Sequence, residues 1–175
     1  MNHSELVDLI REGVPGPGGF WAELGAGSGA FTAALADMLG PGARIVAVDK
    51  DAGALRELQA RLGNRDDLTL ETVNADFRQP LGLTDLDGVL MANSLHFLRD
   101  KAPVLAEVRR MLRAGGTLLV VEYGSDLGNP WVPHPFSFPT WSRLADEAGL
   151  TDTRLVGSRP SRHLGSMYAA ASRRP

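Results

Sequence analysis

The 175-residue sequence contains no cysteine. Disulfide bonds, thiolate metal sites and thiol nucleophiles are therefore excluded. No apolar run approaches the ~20 residues that a membrane-spanning helix needs. The N-terminal stretch MNHSELVDLIREG carries two acids and lacks the apolar core of a signal peptide. These absences predict a soluble, cytoplasmic protein without a membrane partner.

A strong excess of one charge is also missing. The net charge is −3 and the isoelectric point is about 5.8, so general attraction to nucleic acid or anionic lipid is not expected. Residues 151–175 are locally basic, and we interpret them as a solvated edge, with a local anionic partner as the alternative. The length and the 43% hydrophobic content predict one domain over residues 1–175. We expect a monomer or a homodimer.

Strand-like and helix-like segments alternate along the chain. Residues 1–19 predict a short amphipathic helix and a Pro/Gly-rich breaker. Hydrophobic periodicity then predicts a helix whose residues Phe31, Leu35, Met38 and Leu39 share one face, and three more helices over 51–62, 101–114 and 139–148. The apolar stripe of the helix at 51–62 starts at Ala52, and the helix at 101–114 stops at Gly115. Strands are predicted at 20–24, 43–49, 68–76, 86–93, 117–123, 153–158 and 167–172. This alternation predicts an open, mostly parallel sheet with helices on both faces and a final antiparallel pair.

The stretch WAELGAGSGAFTAAL, residues 21–35, places three glycines at alternate positions where a strand turns into a helix. A helix N-terminus presents free N–H groups, and a ligand approaches them closely only where no Cβ intervenes. A tight turn with positive φ would explain one glycine. Three of them, Gly25, Gly27 and Gly29, with Ala26 between, predict a turn that binds a ligand.

The sequence indicates the identity of that ligand less directly than it indicates the binding site. The letters GAGSGA also satisfy the dinucleotide pattern G-x-G-x-x-[GA]. Asp49 ends the second strand and is free to accept from ribose hydroxyls, since Asp51 can cap the next helix; NAD and other adenosine cofactors both remain open here. Glu23 would oppose a pyrophosphate but attract an ammonium group, and Asp76 can accept from an adenine amine. With no second domain to present a hydride acceptor, an adenosine cofactor carrying a carboxylate and an amine fits better than a dinucleotide.

In this order the motifs resemble those of the class I S-adenosylmethionine-dependent methyltransferases, over nearly the whole chain. ELGAGSG resembles the first motif of that family, and IVAVDKD the second, with Asp49 as the ribose acid and Lys50 beside it. NADF is similar to the adenine-contacting motif and supplies Ala75, Asp76 and Phe77. LDGVLMANSLHFL and LRAGGTLLVVEY resemble the fourth-strand and fifth-strand regions. The resemblance implies S-adenosylmethionine as cofactor and an α/β, Rossmann-like, doubly wound sheet of seven strands in the order 3-2-1-4-5-7-6, with strand 7 antiparallel.

Methyl transfer is an in-line displacement, so the protein mainly aligns the acceptor with the methyl group and excludes water. Asn93 follows the fourth strand and is expected to contact the cofactor. His96 can act as a base, although a packed or solvated histidine is the favoured alternative. Glu122 and Tyr123 end the fifth strand, where one side chain should face the crevice. His96 and Tyr123 are the catalytic candidates; structural roles are the alternative.

The loop at 124–141 concentrates aromatic residues after the fifth strand. Such a loop can form a lid over an apolar or aromatic small molecule, with Trp131 and His134 as substrate contacts. A proline-stiffened loop that merely caps the sheet is the alternative. NSLH after the fourth strand differs from an NPPY-type tetrapeptide, which argues against adenine-N6 or glutamine methylation. No histidine and carboxylate spacing predicts a metal site.

The sequence therefore predicts an S-adenosylmethionine-dependent methyltransferase that acts on a small-molecule acceptor. An NAD(P)-dependent oxidoreductase, based on the G-x-G-x-x-[GA] match, is one alternative. A regulatory protein that binds the cofactor without turnover is the other.

Overall fold

The computed structural model describes residues 1–175 and contains one seven-stranded sheet in the order β3-β2-β1-β4-β5-β7-β6. Its strands are β1 (Phe20–Leu24), β2 (Arg44–Asp49), β3 (Thr69–Asn74), β4 (Leu86–Ala92), β5 (Leu112–Tyr123), β6 (Thr151–Ser161) and β7 (Gly165–Arg173). The first five strands pair in parallel, whereas β7 is antiparallel to both β5 and β6. The predicted fold class and strand order are confirmed.

Five α-helices cover this sheet: α1 (His3–Ile10), α2 (Ala30–Leu39), α3 (Ala52–Leu62), α4 (Ala102–Met111) and α5 (Phe138–Glu147). Side chains that alternate along β4 reach two different cores. Val89 and Met91 join the cluster that includes residues of α4 and α5, whereas Leu90 and Ala92 join the cluster of α1 and α2. Burial on both faces explains why the central strands read as almost continuous apolar runs. No helix is long and apolar enough to cross a membrane.

The predicted end of α4 is wrong. The helix stops at Met111, and β5 begins at Leu112, which pairs with Leu86 instead of continuing the helical turn. Gly115 lies within β5 with φ +73°, and its N–H donates to the carbonyl of Arg174. Leu112 is buried as predicted but as a strand residue. A buried apolar side chain at this position is compatible with the end of a helix or with the start of a strand. The pairing with Leu86 places Leu112 in the strand.

The stripe on α3 also begins later than predicted. Ala52 is exposed in the first turn, and burial starts with Leu55 one turn further along. Beyond it, Leu58 and Leu62 pack in a small cluster with residues of β2 and the glycine turn. A first-turn methyl group offers little apolar area, so its exposure costs little.

The basic segment at residues 151–175 was expected to be a solvated edge, but several of its arginines contact other parts of the protein. Arg154 donates to the carbonyl of Glu12 at 3.2 Å, and Arg159 reaches the carboxylate of Asp8 at 3.5 Å. Arg174 donates to the carbonyl of Leu112. These contacts tie β6 to the N-terminal segment and the last residues to β5, so three arginines of this segment bind within the protein.

Candidate functional site

A cavity of about 320 Å³ opens where the carboxyl ends of β1, β2 and β4 meet. Seven residues predicted from the sequence line it, namely Gly25, Asp49, Lys50, Ala75, Asp76, Phe77 and Asn93. Four lining residues were missed, namely Arg78, Ser94, Phe97 and Leu98. All four lie in the loops after β3 and β4, and three of them directly follow a predicted residue. They could have been found from the topology, because both loops follow strands of one parallel sheet and every residue in them is therefore a candidate for the cavity wall.

The glycine turn has a different physical basis from the one predicted. Gly25, Gly27 and Gly29 all have positive φ, at +83°, +52° and +81°. Their N–H groups are already bonded, to the Val48 carbonyl at 2.8 Å, to Asp49 Oδ2 at 2.8 Å and to the Ala26 carbonyl at 3.0 Å. These three N–H groups therefore donate within the protein and are not themselves the free donors of a helix N-terminus. All three glycines are explained by a backbone conformation that residues with a Cβ rarely adopt.

The three glycines also differ in the space that a Cβ atom would have. A Cβ at Gly25 would lie 2.6 Å from Ser94 Cβ, and one at Gly29 would lie 2.6 Å from Leu58 Cγ. A Cβ at Gly27 would meet nothing within 4 Å, so only there does the missing side chain leave open space. Gly25 is the member of the turn that lines the cavity. Ala26 is buried in the cluster with Leu58.

Glu23 lies beneath this turn and not on the cavity wall. Its side chain is buried, with 1% of the residue exposed, and it accepts a hydrogen bond from the hydroxyl of Thr32. Burial raises the pKa of Glu23 to about 8, and the nearby charge of Asp49 adds to the shift. At neutral pH the acid is therefore mostly protonated in the free protein. A protonated Glu23 carries no charge that would repel a pyrophosphate, contrary to the sequence argument.

Asp49 lines the cavity, and a different acid caps α3. Asp51 Oδ1 accepts from the N–H groups of Gly53 and Ala54, as the sequence allowed. Asp49 instead holds the loop together, accepting from Gly27 N at 2.8 Å and from the N–H of Asp51 at 2.8 Å. Each carboxylate oxygen has a second lone pair, so Asp49 retains capacity for hydroxyl groups in the cavity.

Asp76 is paired in a way that the sequence did not reveal. Arg78 Nε donates to both carboxylate oxygens of Asp76, at 3.0 and 2.8 Å, and its backbone N–H donates to Oδ1 at 3.0 Å. These hydrogen bonds lower the pKa of Asp76 to about 2. A base amine that reaches Asp76 must share or displace the Arg78 side chain, which is largely exposed and therefore able to move.

Two buried polar atoms on the cavity wall lack a partner within the protein. They are Asn93 Oδ1 and Ser94 Oγ. Asn93 also has φ +54°, a conformation that asparagine adopts more readily than most residues. Buried polar atoms are normally hydrogen-bonded, so two orphans on one cavity wall indicate where the polar groups of a ligand would bind.

The comparisons with known proteins agree with this geometry. Residues 22–118, more than half of the chain, match the family of the methyltransferase domain. The chain belongs to this methyltransferase family. The matched range covers the glycine turn, the cavity loops and the strands up to the middle of β5.

Two curated relatives and one solved structure illustrate the similarity. The ubiquinone/menaquinone biosynthesis C-methyltransferase UbiE of Hahella chejuensis is 30% identical over 70% of this chain and 49% of its own. The trans-aconitate 2-methyltransferase of Azoarcus sp. is 29% identical over 78% of this chain and 48% of its own. The chain thus spans about half the length of these relatives. A SAM-dependent methyltransferase of Aquifex aeolicus has the same fold, with a TM-score of 0.73, 16% identity and 98% coverage of both chains.

Next to the cavity, this methyltransferase domain carries a second polar group around His96. The imidazole Nδ1 lies 2.8 Å from Glu122 Oε2, and both side chains are buried. The ring centroid of Tyr123 lies 5.7 Å from that of His96. Burial and the charge of Glu122 raise the pKa of Tyr123, so the phenol stays protonated. The two catalytic candidates thus lie side by side, and their roles stay predictions.

The loop after β5 divides into a buried and an exposed part. Phe136 and Trp141 pack in the core with ring centroids 5.9 Å apart, and Trp141 belongs to α5 instead of the loop. Trp131 is 82% exposed. The exposed His134 donates its N–H to the His96 carbonyl at 3.0 Å. The capping alternative thus holds for Phe136 and Trp141, and the substrate roles of Trp131 and His134 stay predictions.

Proposed function

We propose that the protein is an S-adenosylmethionine-dependent methyltransferase that acts on a small-molecule acceptor. The observation that carries the proposal is the cavity at the strand ends, in which seven residues of the predicted cofactor site come together. The family match supports the reaction type. The two curated relatives are named for ubiquinone/menaquinone biosynthesis and for trans-aconitate, which supports a small organic acceptor.

The residues of the cavity suit the parts of that cofactor. Asp49 and Lys50 would hold the ribose, and Ala75, Asp76 and Phe77 would hold the adenine. The unpartnered oxygens of Asn93 and Ser94 would accept from the amino acid portion, with Gly25, Gly27, Gly29 and Ala26 shaping the turn beside it and the buried Glu23 beneath. When bound, S-adenosylmethionine supplies a methyl group activated by a sulfonium.

The acceptor would approach from the side of the cavity where β4 and β5 end. His96 and Tyr123 lie there, and we propose them as the residues next to the reacting group. Trp131 and His134, in the loop that follows β5, would contact the acceptor. We further propose that the protein works in the cytoplasm as a monomer or homodimer, without a metal, a membrane or a nucleic acid.

Calorimetric titration tests the cofactor. S-adenosylmethionine and S-adenosylhomocysteine should bind, and NADH should not. Asp49→Asn should weaken S-adenosylmethionine binding by about 1.5–3 kcal/mol, or roughly 10- to 150-fold, because a hydrogen bond to a charged group has this strength. Asp51→Asn is the matched control, since asparagine caps a helix about as well as aspartate and the affinity should not change.

Three results would contradict the proposal or modify it. Binding of NADH in place of both S-adenosyl compounds would support the oxidoreductase alternative. Tight cofactor binding with no methylated product across a broad acceptor panel would support a regulatory binding protein. Equal affinities for wild type and Asp49→Asn would show that the ribose lies elsewhere.

A further inference from the structure

A second cavity lies at the opposite end of the strands from the cofactor cavity. It has a volume of about 390 Å³ and opens where β1 and β4 begin, beside the first residues of β5 and the last residue of β7. The loop at 15–19 lines it, together with strand residues that include Asp87, Arg113, Thr117 and Arg173. None of these residues lines the cofactor cavity, and the proposed function makes no use of them.

The register of the strands places several of these side chains on one face of the sheet. Trp21 pairs with Gly88, and Gly88 pairs with Thr117. Thr117 in turn pairs with Arg173, so the four residues form one row across the neighbouring strands β1, β4, β5 and β7. Side chains at paired positions extend from the same face of a sheet. Because Trp21 packs with residues of α1 and α2, Thr117 and Arg173 also lie on the face that these helices cover.

The loop at 15–19 lies on the same face and adds backbone donors to the cavity wall. It is joined to the end of α2, because the N–H of Gly18 donates to the carbonyl of Leu39 at 2.6 Å. The two prolines of the loop restrict its backbone and have no N–H. The N–H groups of Gly16 and Gly19 make no hydrogen bond within the protein. Two backbone donors of the loop are therefore available to a ligand.

Thr117 contributes a hydroxyl that has no partner. The residue is only 4% exposed, and its side chain makes no hydrogen bond within the protein. The hydroxyl is not among the unpartnered side-chain atoms that are sealed from solvent, so it opens to the cavity that Thr117 lines. Polar groups at buried positions are normally hydrogen-bonded. The hydroxyl of Thr117 therefore marks a position where a polar atom of a ligand would bind.

The charges around the cavity leave one cation without a partner. Asp87 accepts from Arg113 Nε at 2.6 Å and from the N–H of Phe20 at 2.7 Å. Partial burial alone would raise the pKa of Asp87, but these hydrogen bonds lower it below its usual value. Asp87 is therefore ionised and balanced by Arg113. Only the backbone carbonyl of Arg173 accepts a side-chain hydrogen bond, and its guanidinium has no partner, so the cavity carries a net positive charge.

We propose that this cavity binds a phosphate group, either free phosphate or the phosphate of a small ester. The guanidinium of Arg173 and the hydroxyl of Thr117 donate from the sheet, and the N–H groups of Gly16 and Gly19 donate from the loop. A phosphate presents acceptor oxygens in several directions, which suits donors on two walls, and a guanidinium pairs with two of those oxygens at once. The site is separate from the cofactor cavity, so this inference does not depend on the proposed function.

An NMR titration of the wild-type protein with inorganic phosphate, at an ionic strength held constant with chloride, tests the proposal. The ¹H–¹⁵N signals of Arg173 Nε and of the Gly16 and Gly19 amides should shift and reach saturation. Shifts that grow without saturation would show only a general attraction of anions and would overturn the proposal. Saturable shifts at Gly25 and Asn93 in place of these signals would locate the phosphate in the cofactor cavity, which would also overturn it.

Two other anions, titrated in the same way, identify the chemistry of the ligand. Acetate should bind more weakly than phosphate, because a carboxylate has two oxygens in one plane; equal or tighter binding of acetate would refute the assignment to phosphate. Glycerol phosphate distinguishes the two sources of the group. Tighter binding than that of inorganic phosphate would assign the site to a phosphate ester, and weaker binding would assign it to free phosphate.

Two substitutions test the donors. Arg173→Gln should weaken phosphate binding by about 10-fold or more, because a hydrogen bond between charged groups is lost. Thr117→Val removes the hydroxyl and should weaken binding by a similar factor. It should not lower the urea midpoint, because the hydroxyl has no partner in the free protein.

The matched controls are Arg61→Gln and Thr69→Val, since both residues are exposed and lie outside the cavity, on α3 and β3. Neither should change the dissociation constant of phosphate. Wild-type affinity in both Arg173→Gln and Thr117→Val, or an equal loss in the controls, would overturn the proposal. If Arg173→Gln failed to fold, Thr117→Val and the wild-type titration would still decide.

Discussion

Replacing Glu23 by glutamine should flatten the dependence of stability on pH between about 5 and 8. In the folded protein burial raises the pKa of Glu23 from its usual 4.5 to about 8, so the acid keeps its proton over this range. In the unfolded chain the proton is already lost. The folded state therefore binds more protons than the unfolded state, and the free energy of unfolding falls as the pH rises.

The size of the effect follows from the difference between the two pKa values. Each unit corresponds to about 1.4 kcal/mol, so the full shift corresponds to at most about 5 kcal/mol. This contribution is present below pH 4.5 and is lost as the pH rises through about 8. Glutamine cannot ionise, and its amide oxygen can still accept from the Thr32 hydroxyl. Above pH 8 the variant should therefore be more stable than the wild type.

Urea unfolding at several pH values between 5 and 8.5 measures this effect. Glu57→Gln is the control, because Glu57 is exposed on α3 and its replacement should not change the slope. Parallel stability curves for Glu23→Gln and wild type would refute the reasoning, since they would show that Glu23 ionises alike in the folded and unfolded states.

Three further substitutions test contacts around the site. Gly29→Ala should destabilise the protein by roughly 2–4 kcal/mol in urea, since it combines positive φ with a clash at Leu58, whereas Gly27→Ala, with positive φ alone, should cost about 1 kcal/mol; equal losses would contradict the packing argument. Lys101→Met should cost about 1–3 kcal/mol and speed proteolysis of the loop at 124–137, because the ammonium holds two backbone carbonyls, one of them that of His134. Unchanged cleavage would show that this contact does not restrain the loop.

Much of the fold could be predicted because its pattern is local. The run ARIVAVD is apolar at nearly every position, which is typical of a parallel strand covered on both faces, and it forms β2. The motif resemblance implied the strand order, which the structure confirms. The boundary at Leu112 failed because an apolar residue at helical spacing also suits the start of a strand, and only the pairing with Leu86 distinguishes the two.

The site was predictable to the extent that it lies in loops that follow parallel strands. Asp49 ends β2 and Asn93 follows β4, the two strands on either side of β1, so their meeting in one cavity required only the topology. The hydrogen bonds of the glycine turn were not predictable. Spacing shows where glycines stand, but not that their N–H groups donate to Val48, Ala26 and Asp49.

The sequence by itself determined the α/β alternation, the position of the glycine turn and the acids that follow the strands, because periodicity and turn chemistry act between close neighbours. Only the tertiary structure decided the states of those groups. It buried Glu23 until its carboxyl stays neutral, paired Asp76 with Arg78, and joined His96 to Glu122 from 26 residues away. Desolvation and hydrogen bonding depend on everything that surrounds a side chain, and in this fold most of those neighbours are distant in sequence.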